Sequence, residues 1–257
     1  MNKENNIIRR RPENCVALIT GATGSLGRTL VEQMAITGRY KKIYACFKSN
    51  VSIANKLLSF PSVELCQCDF LSGDYQNLPT RGDVLVNNAA LPASKNNTGE
   101  VTKVEYDALM LINAYTPFML AQKYLKGMAV SQWGRIVNVG SIWSLRGSEN
   151  NLAYNMSKHA LSGLTKTIAI EYGALGITCN EVCPGPIESE MVDRIFEARS
   201  LTAGQTAQEL KREFVNTLRS KRMVSTNEVA SVISFLTTEE ASGVNGVSIP
   251  VDLGFIV

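Results

Sequence analysis

The sequence has one histidine, two tryptophans and no two cysteines in C-x-x-C spacing. Imidazole-rich and paired-cysteine zinc centres are therefore excluded, and no metal site is expected. No apolar run approaches the roughly 18 residues of a membrane-spanning helix, and no apolar segment follows the basic residues near the start as a secretory signal would require. Charge of one sign is also missing: Lys+Arg 26 stand against Asp+Glu 23, a net +3. That balance leaves no electrostatic footprint for nucleic acid. Glycine (19) and proline (8) are ordinary for 257 residues, which excludes collagen-like and low-complexity chains. The six cysteines, Cys15, Cys46, Cys66, Cys68, Cys179 and Cys183, each fall in or beside an apolar run. They read as buried, reduced thiols of a cytoplasmic protein.

What is present is enough apolar material, 45% of residues, to build one sizeable core. Residues 1–13 are polar and basic and carry +2 of the net +3, so they are expected to form a flexible tail ahead of a domain spanning 14–257. Within that domain short apolar runs alternate with amphipathic stretches. Cys15–Thr20, Ile43–Phe47, Val63–Cys68, Asp83–Asn87, Arg135–Val139, Ile177–Cys183 and Val247–Val251 read as strands. Leu26, Leu30 and Met34 share a helical face, and Ser225 with Glu228 forms a capping box ahead of Val229, Val232, Ile233 and Leu236. The alternation predicts an α/β fold: a single doubly wound Rossmann-fold domain with a seven-stranded parallel sheet.

One segment breaks the alternation. Residues 188–222 carry two helical patterns, the second capped by Thr206 and Glu209, directly after the sixth strand. Ligands in doubly wound folds sit beyond the carboxyl ends of the strands, so this insertion is expected to be a small helical substrate lid. A surface decoration is the alternative.

The first strand runs into Gly21, Thr23, Gly24, Ser25, Leu26 and Gly27 and then a helix, which is where a dinucleotide pyrophosphate is cradled. After the second strand there is no acid to accept the ribose hydroxyls of NAD; Lys48 and Ser49 stand there and are suited to a 2′-phosphate. NADP(H) is therefore expected over NAD(H), with a plain solvated lysine as the alternative reading of Lys48.

Tyr154 and Lys158 lie four apart in a helical pattern and so share a face. A phenol titrates near about 10, and a neighbouring ammonium is expected to lower that value and suit it to proton transfer. Ser141 closes the fifth strand thirteen residues earlier, where its hydroxyl can bind the same carbonyl oxygen. Pro117, in a helix expected over Glu105–Gln122, denies a hydrogen bond to the Asn113 carbonyl. That carbonyl is either a water site on a proton path to Lys158 or part of a structural kink. His159, beside Lys158, reads as a helix-packing residue.

Taken together, these residues resemble the short-chain dehydrogenase/reductase family, classical type, from Cys15 onward. The resemblance implies that Asn113, Ser141, Tyr154 and Lys158 form a catalytic tetrad, with Tyr154 and Lys158 also touching the cofactor. It further implies adenine-side contacts at Asp69 and Phe70, and a cofactor lining from Asn87 to Ala89. Pro184, Gly185, Ile187 and Ser189 are implied to position the nicotinamide carboxamide. Homotetramers or homodimers built on the helices carrying Asn113 and Tyr154 are implied as well. Two departures stand out: the glycines at 21, 24 and 27 have the spacing of extended members, and Asp252-Leu253-Gly254 stands where Asp-Gly-Gly is common.

The expected activity is an NADP(H)-dependent oxidoreductase moving hydride between nicotinamide and a ketone or secondary alcohol, with Tyr154 as general acid/base. Ser141, Trp143 and Tyr154 are the expected substrate contacts, and the substrate is a 3-oxoacyl thioester or a small biosynthetic ketone. The alternatives are an extended-type epimerase or dehydratase on a sugar-nucleotide-like substrate, and a dinucleotide-binding regulator without chemistry. Neither a nucleic-acid nor a membrane partner is expected.

Overall fold

The computed structural model of the chain describes residues 10–92 and 97–257. Seven strands, β1 (Val16–Thr20), β2 (Lys42–Phe47), β3 (Val63–Gln67), β4 (Val84–Asn87), β5 (Gly134–Val139), β6 (Ile177–Pro184) and β7 (Ser248–Val251), form one parallel sheet in the order β3-β2-β1-β4-β5-β6-β7. All seven lie where the apolar runs predict them, with ends shifted by a residue or two. Every residue of β4, β5 and β6 is buried, polar Arg135, Asn138, Asn180 and Glu181 included, because both faces of the parallel sheet are covered.

Helices cover both faces. On one, Leu30, Val31 and Met34 of α1 (Ser25–Ile36) pack with Val229, Ile233 and Leu236 of α8 (Thr226–Leu236) over Val84, Val86 and Val137. The capping box expected at Ser225 and Glu228 opens α8. On the other face, α4 (Thr116–Ser131) and α5 (Leu152–Tyr172) bring Leu120, Tyr124, Met128 and Ile168 against Leu18, Leu85 and Ile136. A short helix α2 (Val51–Leu57) follows β2. Strand order reverses between β1 and β4, and the crevice at their carboxyl ends is where this architecture places a ligand.

The single helix expected over Glu105–Gln122 is divided. α3 (Lys103–Met110) leads into a π-helical turn, Leu111–Tyr115, before α4 begins. Pro117 has no N–H to offer the Asn113 carbonyl, so the backbone widens ahead of it. The Thr116 N–H bonds back to the Leu111 carbonyl, and the Thr116 hydroxyl donates to the same oxygen at 2.8 Å. The wide turn leaves Asn113 buried at 1% exposure.

The insertion after β6 forms α6 (Glu190–Ala203) and α7 (Ala207–Thr217), with a small core of its own from Phe196, Leu210, Leu218 and Met223. Its two ends meet at a neck. There Ile187 bridges Val224, the Val224 N–H donates to the Pro186 carbonyl at 2.9 Å, and the Glu188 N–H donates to the Val224 carbonyl at 2.8 Å. Most of the expected basic tail lies outside the described residues; the Arg11 amide donates to Glu239 Oε1 at 2.5 Å. Among the described residues no helix is long and apolar enough to cross a membrane.

Candidate active site

At Gly21 and Gly27 the glycine loop is closed by contacts that leave no room for side chains. Gly21 adopts φ +66°, the left-handed conformation that favours glycine. A Cβ on Gly27, inside the first turn of α1, would lie 2.1 Å from the Gly21 carbonyl oxygen, whereas one on Gly24 would lie at 3.4 Å from it. The three glycines thus do different things: one turns the chain, one lets helix and loop touch, and one opens the helix. No side chain caps α1 at Gly24, so its first-turn N–H groups keep the character of an anion site. This loop fits a pyrophosphate.

Asn88 holds the loop from the neighbouring strand. Its Nδ2 donates to the Thr20 carbonyl at 2.9 Å and to the Gly21 carbonyl at 3.2 Å, while its N–H and that of Ala89 donate to Thr20 Oγ1. Asn87, by contrast, turns into the core, where it donates to Asn138 Oδ1 at 2.7 Å. Phe70 is likewise buried, packed against Tyr75 with ring centroids 5.8 Å apart. Ala89 remains at the crevice, partly exposed. Lys48 and Ser49 stand exposed at the end of β2, and Lys48 Nζ pairs with Asp69 Oδ2 at 3.1 Å. Desolvation is the largest single influence on the Asp69 carboxyl and raises it, but Lys48 together with the Leu71 and Ser72 amides outweighs it and holds the group below its ordinary range. The lysine expected at a phosphate and the aspartate expected at the adenine therefore form one ion pair.

At the carboxyl end of β5 and the start of α5, Ser141, Tyr154 and Lys158 come together. The Ser141 side chain lies near enough to the Tyr154 phenol to act on its titration, and its hydroxyl accepts from the Trp143 N–H at 3.2 Å. Lys158 Nζ donates to the Val139 carbonyl at 2.8 Å and lies 5.6 Å from the Tyr154 ring centroid. Asn113 reaches this group through one intermediary: its Nδ2 donates to Ser157 Oγ at 3.1 Å, and Ser157 Oγ donates to the Tyr154 carbonyl at 2.8 Å. Asn113 Oδ1 accepts from the Leu91 N–H at 2.8 Å, which locks the amide in place.

The acid–base balance differs from the expectation of a phenol depressed by lysine. Desolvation by the protein around the half-buried Tyr154 pushes its phenol up to about 12, opposed by the nearby Ser141 side chain. Burial pulls Lys158 down to about 8, opposed by the nearby Glu181 carboxylate and the Cys183 thiol. Desolvation, which disfavours whichever form is charged, outweighs the attraction between ammonium and phenolate in this geometry.

Glu181 was not singled out by sequence reasoning. It lies fully buried in β6, accepting from Ser162 Oγ at 2.5 Å and from Ser248 Oγ at 2.7 Å through Oε2. Its Oε1 has no hydrogen-bond partner among the described residues. A Cβ on Gly140, next to Ser141, would lie 2.1 Å from that oxygen. The available signal was an acid in the middle of a strand-length run bounded by apolar residues.

The remaining expected residues frame the site. Gly185 follows β6 and packs so closely that a Cβ would approach Asp252 Cβ to 2.9 Å. Ser189 caps α6 by accepting from the Val192 N–H, and Ser25 Oγ accepts from the Glu190 N–H at 3.3 Å. Ser25 thus ties the glycine loop to the first helix of the insertion. Trp143 lies two residues after Ser141 and meets Phe255 edge-on at 6.4 Å, with Arg146 5.8 Å from its ring.

Residues 73–256 match the family model described as enoyl-(acyl carrier protein) reductase. The chain is 32% identical over 251 residues to levodione reductase of Leifsonia aquatica, covering 93% of each. It is 29% identical to a 3-oxoacyl-(acyl-carrier-protein) reductase of Aquifex aeolicus, covering 93% of this chain and 96% of that one. Among solved structures, a variant of actinorhodin polyketide ketoreductase with NADPH superposes with a TM-score of 0.84 at 26% identity, covering 94% of this chain and 97% of that chain.

Proposed function

Because the chain belongs to the short-chain dehydrogenase/reductase family, and is thus an NAD(P)-dependent oxidoreductase of C=O and CH–OH groups, we propose that it is an NADP(H)-preferring ketoreductase. Its substrate class is a 3-oxoacyl thioester or a small biosynthetic ketone. The observation that carries the reading is the meeting of Ser141, Tyr154 and Lys158 at the carboxyl edge of the sheet, beside a loop that requires glycine at 21 and 27.

When bound, the nicotinamide supplies or accepts the hydride. Ser141 and Tyr154 bind the substrate oxygen, and Tyr154 donates its proton as the carbonyl becomes an alcohol, or takes one in reverse. Lys158 holds positive charge beside the phenol and reaches the nicotinamide ribose. Gly21, Thr23, Gly24, Ser25, Leu26 and Gly27 hold the pyrophosphate. Asn87 acts through its neighbour Asn138 rather than by touching the cofactor, and Pro184, Gly185, Ile187 and Ser189 position the carboxamide. Preference for NADP(H) is supported by the absence of an acid after β2 and by Lys48 and Ser49 standing there. Trp143 and the helical insertion border the substrate side, and we assign the insertion the role of a lid.

Self-association of the chain is part of the same proposal. An apolar groove of about 450 Å³ runs along α3, the π turn and α5, lined by Met110, Leu111, Ala114, Tyr115, Phe118 and Leu164. Tyr115 and Phe118 are 52% and 43% exposed there, a face suited to a second copy.

The test is NADPH absorbance during incubation with a panel of ketones and 3-oxoacyl thioesters. One NADPH consumed per alcohol formed is the expected result. Product formation with no net change in NADPH would overturn the reading in favour of an epimerase or dehydratase, and cofactor binding with no turnover on any substrate would favour a regulator.

A further inference from the structure

Three of the six cysteines converge, although nothing in their spacing along the chain announces it. Cys46 of β2 and Cys66 of β3 are register partners in parallel strands, and Cys68 lies two residues beyond Cys66, so all three side chains leave the same face of the sheet. Their sulfurs lie within 4.8 Å of one another, with Cys66 Sγ and Cys68 Sγ 3.3 Å apart. All three residues are buried, at 0%, 1% and 3% exposure. Cys15, Cys179 and Cys183 are as deeply buried but form no such group.

We propose that Cys46, Cys66 and Cys68 form a binding site for a soft monovalent metal ion, Cu(I). Thiolate sulfur selects Cu(I) and Zn(II) over harder ions. Structural zinc is almost always four-coordinate, with further nitrogen or sulfur ligands. Here only three sulfurs converge, and Cys66 Sγ lies 2.9 Å from the Asn77 carbonyl, to which it donates. Around the sulfurs lie Leu18, Phe70, Leu78, Leu85 and Tyr124, an apolar layer that keeps water out of a fourth position. A low-coordinate, sulfur-only environment suits Cu(I) better than Zn(II). Each thiol that ligates releases its proton to solvent.

The position also provides a way in. β3 is an edge strand of the sheet, and the segment from Asp69 to Pro79 closes over the sulfurs, held by Asn77 Nδ2 donating to the Gln67 carbonyl at 2.9 Å. Opening that one segment exposes the thiols without disturbing the central strands. The proposal is independent of the ketoreductase reading, because its test uses no turnover.

Full-length reduced protein is titrated anaerobically with Cu(I) against the chromophoric chelator bicinchoninate, with a parallel titration by Zn(II). The expected result is one Cu(I) per chain withheld from the chelator, near-ultraviolet thiolate-to-copper absorption, and sulfur-only coordination by X-ray absorption. Cys66→Ser and Cys68→Ser should each weaken binding by more than the roughly 10–100-fold that follows loss of an outer partner, whereas Cys15→Ala should not. The proposal is overturned if the chelator strips all copper from the wild-type protein, if nitrogen or oxygen ligands surround the ion, or if Zn(II) is retained in preference to Cu(I). It is also overturned if removing all three cysteines leaves binding unchanged. X-ray absorption on the wild-type protein decides the matter even if a variant fails to fold.

Discussion

The carboxylate of Glu181 accepts a hydrogen bond of 2.5 Å from Ser162, one helical turn beyond Lys158 on α5. Glu181 comes from a different part of the sheet, yet its charge opposes the fall in the Lys158 pKa that burial causes. Its effect on the site is through the charge of Lys158.

Lys158 sits at about 8 in this environment, so kcat/KM for carbonyl reduction should fall as the pH rises through about 8 and the ammonium is lost. Burial lowers the Lys158 pKa, Glu181 and Cys183 oppose that fall, and the Tyr154 ring faces the lysine at 5.6 Å. Replacing Glu181 by Gln removes a charge that raises the lysine, so the high-pH limb should move to lower pH. A pH profile of kcat/KM for the wild type and Glu181→Gln checks this; an unmoved limb would show that the carboxylate is only structural.

Tyr154→Phe removes the proton donor and keeps the ring. Turnover should fall by about 10²–10⁴-fold, the usual contribution of a general acid. NADPH binding, followed by fluorescence, should persist. Comparable turnover in the two proteins would assign the proton to another group.

The glycine loop makes a graded prediction. Gly27→Ala forces a Cβ against the Gly21 carbonyl and should cost about 1–3 kcal/mol, with loss of cofactor affinity. Gly24→Ala meets the same oxygen at 3.4 Å and should cost about 1 kcal/mol or less, as expected when a helix-capping glycine is replaced. Urea unfolding of the two variants gives the ranking, and equal losses would contradict this geometry.

Lys48→Ala should weaken NADPH binding and leave NADH binding nearly unchanged. Because the Lys48–Asp69 pair is at the surface, stability should change by only about 0–1 kcal/mol. Paired titrations with the two cofactors, alongside thermal unfolding, separate the two effects. An equal loss for both cofactors would mean that Lys48 acts through Asp69 rather than on a 2′-phosphate.

Much of the fold was open to reading from the chain because its signals are local. Apolar runs of strand length, a glycine turn between strand and helix, capping residues three apart and Tyr154 four before Lys158 all lie within a few residues of what they determine. The division of one expected helix around Leu111–Tyr115 was only half legible: Pro117 announced the missing hydrogen bond, but the wide turn and the burial of Asn113 required the packing of α5 against it. Strand register and the closing of helices over the sheet decided the rest. They turned Asn87 inward, set Asn88 across the glycine loop, carried Glu181 beneath Lys158, and brought Cys46 beside Cys66 and Cys68. The chain by itself determined the element order and singled out the candidate reacting groups, because those signals depend on neighbouring residues. Which buried polar groups face one another was decided only by the tertiary structure, because it depends on segments far apart in sequence being held at one register.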